Sequence, residues 1–120
     1  MSTEEKKEYN KNLGQKIDND FEHIVEFFRD NNIVIPESYE SIFENHLHAL
    51  IDRVINNQCV SIEESEMDNI ESEINKEDYT LAENAVSDLF TKYDREKSTC
   101  EIKLLAIYLT LIRKFEANRL

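Results

Sequence analysis

Asn45-His46-Leu47-His48-Ala49-Leu50-Ile51-Asp52-Arg53 reads as the middle of a long amphipathic helix. Phe43, Leu47, Leu50, Ile51 and Val54 recur at the 3.6-residue period and form one apolar stripe, which predicts a buried helix face. At about 100° per residue, His46 falls roughly 80° from the centre of that stripe, and Arg53 follows on the same side about two turns later. His48 falls on the opposite flank, because residues two apart on a helix do not share a face. An imidazole at the margin of a buried stripe, with an arginine on its side, is placed to accept a phosphoryl group or a proton. Most histidines in such a position simply pack or stand in solvent.

Before this helix, Ile17, Phe21, Ile24, Val25 and Phe28 predict another, closing at Asn31-Asn32, where asparagine tolerates the left-handed backbone that ends helices. His23 lies between those core positions and has no neighbouring His or Cys to share a metal, so it reads as a core or boundary residue. Residues 1–15 form a polar segment, frayed or loosely helical and without a function of its own, and 16–120 form a single domain. Ile33-Val34-Ile35 is a connector, its β-branched residues disfavouring helix, and Pro36 suits the first turn of the second helix, about Glu37 to Asn56.

After it, the capping box Ser61-Ile62-Glu63-Glu64 opens an expected third helix with Met67, Ile70 and Ile74 on its apolar edge and an acidic solvent face. That face lacks the alternating ligands and central glycine of a calcium loop. Leu81, Ala82, Ala85, Val86, Leu89, Phe90 and Tyr93 predict a fourth helix, ending near Asp94. A second capping box, Ser98-Thr99-Cys100-Glu101, opens a fifth, apolar nearly all round from Ile102 to Ile112. Such a helix belongs at the centre, with another face, including Phe115, available to a dimer contact. The expectation is an all-α fold, a compact five-helix bundle.

Composition agrees. The 120 residues suffice for one domain, and 40% apolar content with one Gly and one Pro favours helix. A net charge of -12 opposes direct contact with nucleic acid. Cys59 and Cys100 have neither C-x-x-C nor zinc spacing, and no signal peptide is visible, which points to the cytoplasm. The apolar run from Leu104 to Ile112 is bounded by Lys103 and Arg113 and falls short of the ~20 residues a membrane span needs. With Gly14 the only glycine, the chain has no strained nucleophile elbow or phosphate-cradling loop, so no catalytic residue is assigned and enzymatic activity is not expected. No cofactor is called for. Nor is a metal, since His46 and His48 diverge on the helix.

The run Asn45 to Arg53 resembles the histidine motif of PRD domains, the phosphotransferase-system regulation domains, in which Asp-His-Ile precedes a small apolar stretch and an Arg. Glu77-Asp78-Tyr79 through Tyr93 resembles that family's penultimate helix, and Glu101 through Leu109 its closing motif, which ends in a second histidine. The similarity spans Ser38 to Ile112. It implies a five-helix regulatory domain, a homodimer in the family's manner, whose histidine takes a phosphoryl group from the phosphocarrier protein or a sugar permease component and so alters dimer packing. The implied role is regulation of transcription, antiterminator-like, with this chain acting on another regulator in trans. Carried over residue by residue, His46 is the candidate phosphoacceptor, His48 a weaker one, and Arg53 the phosphate-pairing residue. Asn45 and Tyr108 depart from the pattern, standing where the family has aspartate and the second histidine. The alternative is a degenerate member, serving as a helical dimerisation or adaptor module without phosphorylation.

Overall fold

A computed structural model describes residues 3–59 and 74–119. Those residues hold four helices: α1 (Thr3–Asp30), α2 (Glu37–Ile55), α3 (Lys76–Lys92) and α4 (Thr99–Arg119). The expected five-helix bundle is therefore corrected to an all-α bundle with four helices among the described residues. The helix expected from Ser61 falls within 60–73, outside the described residues, and its last apolar position, Ile74, lies in a bend. Asn75 explains that bend: it takes an extended backbone (φ -71°, ψ 135°) as the N-cap of α3, its side chain accepting from the Glu77 N–H at 2.8 Å. A helix cannot run through an N-cap. α1 also begins much earlier than its apolar stripe, since the Glu- and Lys-rich lead-in is made of good helix formers.

Three helices end in one device. The N–H of Asn32 meets the Arg29 carbonyl at 3.0 Å and that of Ile33 the Phe28 carbonyl at 2.9 Å. Asn57 and Gln58 repeat the pattern on Val54 and Arg53, and Asp94 and Arg95 on Thr91 and Phe90. These are Schellman motifs, and the left-handed residue each needs is Asn32 (φ 63°), Asn57 (φ 55°) or Asp94 (φ 54°). Short polar side chains tolerate that region best among non-glycine residues. Arg95 then reaches back to the Val54 and Ile55 carbonyls at 3.0 and 2.7 Å, so the loop before α4 also closes the end of α2.

The core collects one face from every helix: Ile24 and Phe28 from α1, the α2 stripe, Ala82, Val86, Leu89 and Phe90 from α3, and Ile102, Leu105, Ala106, Leu109 and Ile112 from α4. The α2 stripe is the one read from spacing, with Phe43, Leu47, Leu50, Ile51 and Val54 all buried. α3 and α4 run antiparallel and pack closely. At one end Thr110 Oγ1 donates to buried Asp78 at 2.9 Å, Arg113 Nε lies 2.6 Å from the other carboxylate oxygen, and the Asn75 N–H reaches Thr110. One turn on from that contact, the register brings Ala82 level with Ala106, both fully buried, and two methyls let the backbones approach. α1 is tied down by Asp20, which accepts from Lys92 Nζ at 2.7 Å and Tyr93 Oη at 2.6 Å.

Candidate functional site: the cleft between α2 and α4

α2 and α4 cross antiparallel, and three cross-helix pairs mark their register. Tyr39 meets Phe115 edge to face with ring centroids 5.1 Å apart, His46 meets Tyr108, and Arg53 meets Glu101. Each step is seven residues forward on α2 and seven back on α4. Two turns of helix return a side chain to nearly the same azimuth, so the three pairs fall in one line along the seam. Between them lies a cleft of about 210 Å3 lined by Phe43, His46, Leu50, Arg53, Leu104, Leu105 and Tyr108. Its floor is apolar and its polar groups are concentrated in the two flanking rungs.

His46 is an exposed residue on the wall of this cleft. Its Nε2 is in hydrogen-bond contact with the Tyr108 hydroxyl, and the two rings lie 4.3 Å apart at a tilt of 34°. Burial pushes the Tyr108 hydroxyl above its ordinary pKa, so it stays protonated at neutral pH. Two turns away, Arg53 donates from Nε and Nη2 to the two oxygens of Glu101 at 2.6 and 2.8 Å. Glu101 is wholly buried, and the hydrogen bond it accepts holds the Arg53 guanidinium above its ordinary pKa. The Glu101 N–H in turn reaches Ser98 Oγ at 3.2 Å, the serine half of the expected capping box.

The structure thus brings His46 and Arg53 to one cleft, as their spacing predicts. It sends His48 elsewhere. The His48 ring packs edge-on to Phe21 at 4.4 Å, and its Nε2 is sealed from solvent with no hydrogen-bond partner. His23, read from sequence as core or boundary, is exposed and lines a separate cleft between α1 and α3 with Asp20, Asp88 and Lys92. Sequence reasoning missed the partners Glu101 and Tyr39. The signal was present as matched seven-residue spacings, 39/46/53 on one helix and 101/108/115 on the other. Among the described residues no group of three or more His, Cys, Asp or Glu is placed to hold a metal, and no helix is long and apolar enough to cross a membrane. Cys59 and Cys100 are free thiols, and burial raises the pKa of Cys59, which keeps it a poor nucleophile.

The described residues form a helical bundle with an exposed histidine on an interhelical seam. The chain matches the PRD domain family over residues 22–111, three quarters of its length, and belongs to that family. Membership makes it a non-catalytic regulatory module of the phosphotransferase-system kind. No curated protein and no solved structure matches it.

Proposed function

We infer that this chain is a phosphotransferase-system-linked regulator whose switch residue is His46. The observation that carries the reading is the exposed imidazole on the wall of a cleft that also holds Arg53. A phosphoryl group on His46 adds close to two negative charges and three acceptor oxygens on the wall of the cleft that Arg53 also lines, two turns away. Because both rungs that flank the cleft join α2 to α4, charge placed there acts on the packing of those helices and, through α4, on a homodimer contact. The donor in this reading is the phosphocarrier protein or a sugar permease component, and the output is control of a transcriptional regulator in trans, in the manner of antitermination.

A second reading is favoured by one specific observation: both polar partners in the cleft are already engaged, His46 by Tyr108 and Arg53 by Glu101. In that reading the chain is a helical dimerisation or adaptor module that is not phosphorylated.

One experiment separates them. The protein is incubated with phosphoenolpyruvate, the general phosphotransferase enzyme and the phosphocarrier protein, then weighed intact at neutral or alkaline pH, where phosphohistidine survives. The expected result is one added phosphate, lost in His46→Ala and kept in His48→Ala, with a shift in the sedimentation of the phosphorylated form. No added mass on a folded protein would discard the switch and leave the adaptor.

A further inference from the structure

The contact between His46 and Tyr108 bears on which imidazole nitrogen is available to a phosphoryl donor. A ring nitrogen that holds a hydrogen bond has its proton or lone pair engaged and is not open to an electrophile. The Tyr108 hydroxyl engages Nε2 in this way. It is not free to drift, since the Tyr108 ring stacks against His46 and lies in a line of pairs anchored on either side by Tyr39–Phe115 and Arg53–Glu101. His46 as a whole is exposed, and its hydrogen bond to Tyr108 is made at Nε2 and not at Nδ1.

We propose that Tyr108 is a positioning residue that closes Nε2 of His46 and directs the phosphoryl group to Nδ1, a proposal that rests on the phosphoacceptor reading above. A tyrosine hydroxyl both donates and accepts, so it fits either neutral tautomer of the ring. It donates to a bare Nε2, or accepts from Nε2–H. Only the second tautomer leaves a lone pair on Nδ1, and reaction runs from it. The Nδ1 lone pair attacks phosphorus, the bond from phosphorus to the donor nitrogen breaks, and its electron pair stays with the donor. The ring keeps its Nε2 proton, and the positive charge it gains strengthens the Nε2–H bond to the Tyr108 oxygen. A histidine in place of Tyr108 offers no hydroxyl. The departure at position 108 therefore changes the regiochemistry of the site, and the site remains capable of taking the group.

Phosphoramidate, a small phosphoryl donor that needs no partner protein, supplies the test. Full-length wild type and Tyr108→Phe are treated at neutral pH, and the isomer formed at each histidine is assigned by phosphorus–nitrogen NMR correlation. Exposed His23, away from the α2–α4 seam, reports the isomer ratio of a second ring in the same sample. The expected result is the Nδ1 isomer at His46 in wild type, with the ratio shifted by about fivefold or more toward Nε2 in Tyr108→Phe, the factor one hydrogen bond commands. An Nε2 isomer in wild type, a ratio at His46 equal to that at His23, a ratio unmoved in Tyr108→Phe, or no product at His46 while His23 reacts would each overturn the proposal. Phenylalanine keeps the ring and the packing, so a change confined to isomer ratio is not a folding effect. Failure of the phosphocarrier protein to modify wild type, with the isomer result intact, would instead remove the phosphoacceptor reading and leave the directing role of Tyr108 standing.

Discussion

Arg53 and Glu101 meet across the seam with only the arginine partly in water; its side chain is 28% exposed and that of Glu101 0%. A carboxylate desolvated to that degree depends on its guanidinium. Arg53→Ala is expected to destabilise the fold by about 3 kcal/mol, at the low end for a broken buried pair because water can reach the vacated end. Urea titration measures it, and Arg53→Met combined with Glu101→Leu should recover most of the loss. Asp20 sets up a different dependence. Its bonds to Lys92 and Tyr93 accompany raised pKa values for both, the hydrogen bond to Asp20 leading for Lys92 and burial leading for Tyr93. Groups whose pKa is raised by folding add stability that is complete below their unfolded values, 10.5 and 10.0 here, and that is lost as pH climbs through the folded ones. This cluster should therefore give thermal melts no pH dependence near neutrality, and the melting temperature should fall above about pH 10. Tyr93→Phe should cost about 1 kcal/mol at neutral pH and flatten the alkaline fall. Lys92, half exposed, contributes the smaller share.

Helix ends and helix interiors use residues here against their usual placement. Asn32, Asn57 and Asp94 hold left-handed backbone at three Schellman ends, while Gly14, the chain's one glycine, sits inside α1. A methyl added at Gly14 would meet nothing within 4 Å. Gly14→Ala should then stabilise by about 1 kcal/mol, the helix-propensity difference, discounted if α1 frays first from its start. Asn57→Gly should stabilise by about 0.5 kcal/mol by relieving the left-handed strain, and Asn57→Ala should do the opposite. Denaturation midpoints at constant slope would check both, and equal destabilisation by Gly and Ala at 57 would show that the asparagine side chain matters more than its backbone angle.

The bundle as a whole depends on close approach along α3 and α4. Ala82 and Ala106 are both at 0% exposure, at level positions of that antiparallel pair. Ala82→Leu or Ala106→Leu should cost about 1–3 kcal/mol by forcing the helices apart, where an exposed alanine would take leucine without penalty. Because α4 also forms one wall of the His46 cleft, Ala106→Leu should additionally weaken the Arg53–Glu101 pair. A double-mutant cycle between positions 53 and 101 in that background, read by urea titration, should return a smaller coupling than in wild type.

Much of this was legible in the order of residues. The α2 stripe, the asparagine stops and the Ser98 cap follow from helical period and local hydrogen bonding, which involve neighbours within a few positions and so survive in any context. His46 and Arg53 on one side of α2 followed from the same period. The helix count did not: four helices stand among the described residues, and Ile74, read as the last apolar position of a helix, lies in a bend before the Asn75 cap. Nor did the occupants of the cleft. Glu101 reads as half of a capping box and Tyr108 as one more apolar position, and their bonding to Arg53 and His46 comes from the antiparallel crossing of α4 on α2, which joins residues 48 and 62 positions apart. Local sequence carries helices and their ends because those interactions are short-range. Partners across a seam are set by packing, which no single helix contains.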